Sequence, residues 1–142
     1  MRWNRTVSAL LSMMVIVAVS GCAPESAGPQ SLAERVVRGV PETWTGPPLD
    51  PLDGSPEVGW LSDAEFGVVT RGSSSCPPVA ISLERTEEGD VRIEFADSPH
   101  DTCTADDGPT THVLRLPDGV DERPVAVTLT FASGGTYSLS LP

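Results

Sequence analysis

Lysine is absent from this 142-residue chain, and asparagine occurs once, at Asn4. Without lysine, Ser-x-x-Lys nucleophile chemistry is excluded. Positive charge is scarce, with nine arginines facing 20 acidic residues for a formal net charge of −11. That balance argues against nucleic acid as a partner, because phosphate binding needs clustered cations that release counterions. It also argues against adsorption to anionic lipid through a basic patch. Aromatic residues make up only 5% of the chain, and the two histidines are His100 and His112. The three cysteines, Cys22, Cys76 and Cys103, form no Cys-x-x-Cys pair, so the common redox motif is missing.

What is present starts at the N-terminus. Arg2 and Arg5 precede an almost uncharged apolar run from Val7 to Val19, which closes on Val19-Ser20-Gly21-Cys22. This layout predicts a secretory signal peptide over residues 1–21, its apolar run too short to span a bilayer as a mature helix. Those last four residues resemble the lipobox of bacterial lipoprotein signals: an aliphatic residue, two small ones, then cysteine. The resemblance implies that the peptide is cut before Cys22 and that Cys22 carries a diacylglyceryl thioether. The protein is then expected at the cell membrane, lipid-anchored on the extracytoplasmic face. Acyl burial contributes about 0.8 kcal/mol per CH₂, and two chains on one cysteine make a stable anchor where one would be marginal. The rival readings are an ordinary signal peptide that leaves Cys22 as a thiol, or an uncleaved N-terminal anchor. An odd cysteine in an exported protein needs its own explanation, and lipidation of Cys22 supplies one. All 20 acidic residues follow Cys22, so the mature 121 residues carry seven arginines and a formal charge of −13. The lipid must hold such a chain without electrostatic help.

Residues 22–57 hold seven of the 14 prolines and four glycines, and read as an extended tether with little apolar surface to bury. One island interrupts it. Ser31 at an N-cap, Glu34 at the capping-box position, and Leu32 and Val36 at helical spacing predict a short helix over residues 31–38, ended by Gly39 and Pro41. From Val58 the period becomes two. Val79, Ile81 and Leu83 alternate with small or polar residues, as do Val91, Ile93 and Phe95. The polar Thr86–Asp90 link between them makes residues 79–96 the clearest hairpin signal. Later runs at 113–116, 125–131 and 137–141 repeat the pattern. The expectation is an all-β fold, one small antiparallel sandwich or barrel of six to seven strands over residues 58–142.

With Cys22 lipidated, Cys76 and Cys103 remain as a natural disulfide in an oxidising compartment. The bridge would tie the entry of the 79–96 hairpin to its exit, where antiparallel strand ends lie close together. The stretch of residues 97–107 around Cys103 concentrates Asp97, His100, Asp101, Asp106 and Asp107. These are the candidate ligands for a divalent cation, bound through oxygen or, for zinc, through His100 with carboxylates. Their spacing matches no metal-loop template, and a solvated turn-rich loop accounts for the same residues. His112 lies on a strand, on its polar face, and a surface or hydrogen-bonded histidine is expected there over a ligand. Gly72-Ser73-Ser74-Ser75-Cys76 is not Gly-x-Ser-x-Gly, and Pro77-Pro78 forbids the helix that a nucleophile elbow requires. Trp60 is expected in the core, and Trp44 is placed to dock its proline-rich segment onto the domain.

The stretch from Thr70 through the Ser-Cys-Pro segment, the acidic Cys103 loop and Leu116-Pro117-Asp118-Gly119 resembles small actinobacterial lipoproteins of unassigned function. The arginine-for-lysine bias is similar to that of proteins from GC-rich genomes. The resemblance implies a location and a fold, with no catalytic residue carried across. The expected function is a non-enzymatic, lipid-anchored binding or scaffold domain, without cofactor, whose partners are the membrane and another envelope protein. A module that binds a small ligand or divalent cation through residues 97–107 is one alternative. A cell-wall hydrolase is the other.

Overall fold

Strands form wherever β-branched and aromatic residues alternate with polar ones, and turns of Gly, Pro and Asp separate them. The computed structural model describes residues 28–142, so Cys22 and the signal lie outside the described residues. Among these residues there are eight strands and no helix: β1 (Arg35–Arg38), β2 (Glu57–Trp60), β3 (Glu65–Gly72), β4 (Val79–Arg85), β5 (Val91–Ala96), β6 (Gly108–Arg115), β7 (Val125–Phe131) and β8 (Thr136–Leu141). They make two four-stranded sheets, ordered β1-β6-β3-β2 and β4-β5-β7-β8, packed as a sandwich. The inner faces supply one core: Val58, Phe66, Val68 and Leu114 from the first sheet meet Ile93, Phe95, Val127 and Leu129 from the second. The expected all-β sandwich with one disulfide is what forms.

Three expectations need correction. The 31–38 segment is not a helix. Ser31 Oγ accepts the Ala33 N–H two residues on, closing a tight turn, and residues 35–38 then pair antiparallel with β6. An isolated helix of eight residues is marginal in water, whereas Val36 and Val37 suit an extended strand. Pairing also lets the Arg35 guanidinium fork both oxygens of Glu65 on β3, at 3.2 and 3.0 Å. Second, the strands are not all antiparallel, since β5 and β7 run parallel in register from Val91↔Val127 to Phe95↔Phe131. After β5 the chain crosses to the other sheet to make β6 and returns as β7, so β7 arrives beside β5 in the same direction. Alternation of polar and apolar residues is the same for either direction, so periodicity alone does not distinguish them.

Third, the described part of the 22–57 segment is no tether. It contributes β1, which joins the seven strands β2–β8 that fall where six to seven were expected, and it covers the outer face of the first sheet. Inward residues Val68, Thr70, His112 and Leu114 alternate with Gly67, Val69, Thr111 and Val113, which point away from the second sheet. Yet Val69, Thr111 and Val113 are buried. Trp44 is what covers this face. Gly59 and Gly67 are cross-strand partners on β2 and β3, and a Cβ on Gly67 would come within 3.2 Å of the Trp44 indole. A Cβ on Gly59 would stand 3.0 Å from the same ring and 2.5 Å from the Gly46 Cα. The two glycines thus floor a slot into which the indole and its own chain descend. Around it, Trp44 Nε1 donates to the Pro47 carbonyl at 3.0 Å, Thr45 N donates to the Trp60 carbonyl at 3.0 Å, and Thr111 Oγ1 donates to the Gly39 carbonyl at 2.6 Å.

This slot leaves no room for a methyl group against backbone. Gly59→Ala should destabilise the fold by about 1–3 kcal/mol, the usual cost of overpacking. Urea unfolding followed by tryptophan fluorescence measures it. An unchanged midpoint would show that the 39–47 segment does not seat on the sheet.

Candidate functional site

The functional candidates named from sequence gather at one end of the sandwich. The β3–β4 and β5–β6 connections and the β7–β8 turn meet there. Cys76 and Cys103 are bonded, with S–S 2.06 Å and Cα–Cα 5.4 Å. As expected, the bridge joins the residues just before β4 to the loop that follows β5. It is backed by hydroxyls: Ser73 Oγ and Ser75 Oγ lie 3.0 and 3.2 Å from Thr104 Oγ1, and Thr104 N donates to Ser75 Oγ at 2.9 Å. Thr104 Oγ1 in turn donates to Asp106, which also accepts the Ser74 N–H at 3.2 Å. These donors, Thr104 first, hold the Asp106 carboxyl well below the usual carboxylate range, at about 2. A carboxylate so stabilised is a poor proton acceptor at neutral pH. It serves as the clasp between the two connections.

The proposed cation ligands are not assembled. Among the described residues, no group of three or more His, Cys, Asp or Glu side chains is placed to hold a metal ion. Asp106 is occupied by its hydroxyl and amide donors. Asp97, His100, Asp101 and Asp107 are spread along an exposed loop. The local reason is turn chemistry: Ser98 Oγ accepts the His100 N–H at 3.3 Å, which closes a small turn at Ser98–His100. Asp97 and Ser98 instead help line an open cleft of about 280 Å³, together with Arg71, Cys76, Phe131 and Tyr137. One cation, one carboxylate and a phenol make it a polar depression. The Arg71 guanidinium also donates to the Asp50 carbonyl at 3.3 Å. No protein-family model, curated protein or solved structure shows a significant match to this chain. Its chemistry therefore has to be read from its own residues.

Of the two settings expected for His112, the surface one is not taken and the hydrogen-bonded one is. It is fully buried on the inner side of β6, edge-on to Phe95 with centroids 5.0 Å apart. Its Nε2 lies 3.1 Å from Thr70 Oγ1, and Thr70 Oγ1 lies 3.5 Å from the Thr110 carbonyl oxygen. We assign the Nε2–H tautomer, because Nε2–H then donates to the Thr70 hydroxyl, which donates on to that carbonyl. Nδ1 is left as a buried lone pair without a partner. Burial alone pushes the imidazole pKa down from 6.5 to about 4, since a cation here would be desolvated with no anion beside it. Sequence analysis missed this Thr70–His112 pair. A histidine flanked by Thr110, Thr111 and Val113 reads equally well on either face. Trp60, expected inside, is inside. Its Nε1 donates to the Pro142 carbonyl, and the Arg123 guanidinium stacks 3.8 Å above its ring.

Two outcomes follow from this geometry. Opening the disulfide frees a loop between residues 27 positions apart, for which chain entropy predicts a loss of about 3.5 kcal/mol. Denaturant unfolding with and without reductant reads that difference, and equal midpoints would contradict it. For His112 the unfolded chain binds the proton more tightly than the folded one. Its contribution is therefore complete above about pH 6.5 and is lost as the pH falls through about 4. Between pH 7 and pH 4.5 this removes about 2 kcal/mol. His112→Leu, which leaves the Thr70 hydroxyl its carbonyl partner, should flatten that part of the stability curve. An identical pH slope in the variant would assign the acid sensitivity elsewhere.

Proposed function

We propose that this protein is an exported lipoprotein, held by a diacylglyceryl group on Cys22 at the extracytoplasmic face of the cell membrane. Its β-sandwich serves there as a non-enzymatic binding or scaffold domain toward another envelope protein. The observation that carries the reading is the cysteine pairing. Cys76 and Cys103 satisfy each other, which is compatible with an oxidising compartment, and Cys22 is left as the single cysteine to be accounted for. The lipobox-like Val19-Ser20-Gly21-Cys22 supplies its chemistry.

Electrostatics support the same division of labour. A mature chain of formal charge −13 gains nothing from an anionic bilayer, so retention falls to the acyl chains. The binding role rests on the sandwich, whose turns and exposed edges offer surface for a partner while the core and the Trp44 layer hold the frame.

Fractionation tests the anchor. Cys22→Ala should shift the protein from the membrane fraction to the medium or soluble extract, and detergent should not be needed to recover it. Retention of the variant on membranes would refute the lipid anchor. Crosslinking in intact cells followed by purification of the wild-type protein is expected to bring down a defined envelope protein.

A further inference from the structure

We propose that the disulfide-bearing end of the sandwich is the face held next to the lipid bilayer, and that the opposite end points away from it. The inference rests on the lipid anchor at Cys22 proposed above, and adds the orientation in which that anchor holds the domain.

The chain enters the described domain at the disulfide end. A Cβ on Gly28 would lie 2.7 Å from the Pro99 Cβ, and Pro99 belongs to the loop closed by Cys103. Four residues on, Leu32 N donates to the Ala80 carbonyl at 2.8 Å. Ala80 pairs with Phe95 where β4 begins and β5 ends, at this same end. The entry thus passes close against Pro99 and is tied to β4 at Leu32, both at the disulfide end.

Covalent geometry then limits the distance. From Cys22 to Gly28 there are six residue steps, which span at most about 20–22 Å. The strands are six to eight residues long in the body of the sandwich, or about 20–27 Å from end to end. A lipid at Cys22 therefore keeps Pro99 and its loop within about 22 Å of the headgroups. The β4–β5 turn, with Glu87 and Glu88, and the Pro142 terminus beside Trp60 lie a strand length further out. Nearness is not insertion. Asp97, Asp101, Asp106 and Asp107 in this loop are exposed, and the anionic surface repels them. The short connection confines the domain, and the aspartates keep its end in water. The cleft lined by Arg71, Asp97 and Tyr137 faces the bilayer, and the far-end turns face outward.

Energy transfer to the bilayer measures this. The full-length protein, purified with its lipid and with the disulfide intact, is reconstituted into phospholipid vesicles that carry an acceptor dye on the headgroups. A donor is attached to Asp107→Cys or to Glu88→Cys, both exposed positions. Transfer from position 107 should exceed that from position 88 several-fold. Fifteen Gly/Ser residues inserted between Ala27 and Gly28 should reduce the contrast, because a flexible linker of that length adds about 20 Å of reach. Equal or reversed transfer in protein that floats with the vesicles and whose N-terminal peptide carries the acyl mass would overturn the orientation alone. A peptide without acyl mass, in protein that does not float, would overturn the anchor and the orientation with it.

Discussion

A Trp44 indole lying on two facing glycines is the contact on which the first sheet depends. An antiparallel sheet can leave one face in water, but this one is apolar on both. Phe66, Val68 and Leu114 point to the second sheet, while Val69 and Val113 point away and are nonetheless buried. Only a covering layer makes that arrangement stable, because exposed apolar surface of this size would favour association. The proline-rich segment supplies the layer. It needs Gly59 and Gly67 to let the ring approach the backbone, and it needs Gly46 where the chain itself meets the sheet. Removing the layer would expose the sheet, and would also release the Thr111 hydroxyl from the Gly39 carbonyl.

The two ends of the sandwich are built differently. At one, the β3–β4 and β5–β6 connections are bolted by the Cys76–Cys103 bond and clasped by Thr104 and Asp106. These loops are long and polar, with few apolar side chains to fix them, so covalent and hydrogen-bonded ties take the place of packing. At the other end aromatic contacts hold the connections: Arg123, from the β6–β7 connection, on Trp60, and the Trp60 indole on the Pro142 carbonyl. That asymmetry places the fixed entry of the chain and the disulfide on the same end, and this makes the proposed anchor geometrically informative.

His112 occupies a position that a leucine would fill with less electrostatic cost. Its ring packs on Phe95 and its Nε2–H satisfies Thr70, but Nδ1 has no partner. A neutral imidazole tolerates this at neutral pH, whereas a cation would be uncompensated. The core thus holds one group whose protonation opposes folding, in a chain otherwise rich in carboxylates that ionise on the surface.

The strands after residue 57, the 79–96 hairpin, the disulfide and the inward place of Trp60 were legible in the sequence. Each is a local matter of alternation, turn residues or cysteine count. The short helix was misread because capping residues and Leu–Val spacing describe an isolated segment. What decided against it was an open edge on β6, contributed by residues more than 70 positions away. The tether was misread because proline and glycine were taken as signs of missing structure, when one of those glycines, Gly46, sits against the Trp44 ring that Gly59 and Gly67 seat on the sheet. In the 97–107 loop the candidate cation ligands stay apart, as in the solvated, turn-rich alternative, because nearness in sequence is not nearness in space when a loop turns every few residues. By itself the sequence determined that this chain forms half-buried strands and carries one bond between its two inner cysteines, since period-two burial and pairing are properties of short segments. Tertiary structure alone decided the parallel β5–β7 pair, the second buried face and the buried His112. Each depends on which strand lies alongside which, a choice made by the packing of the whole domain.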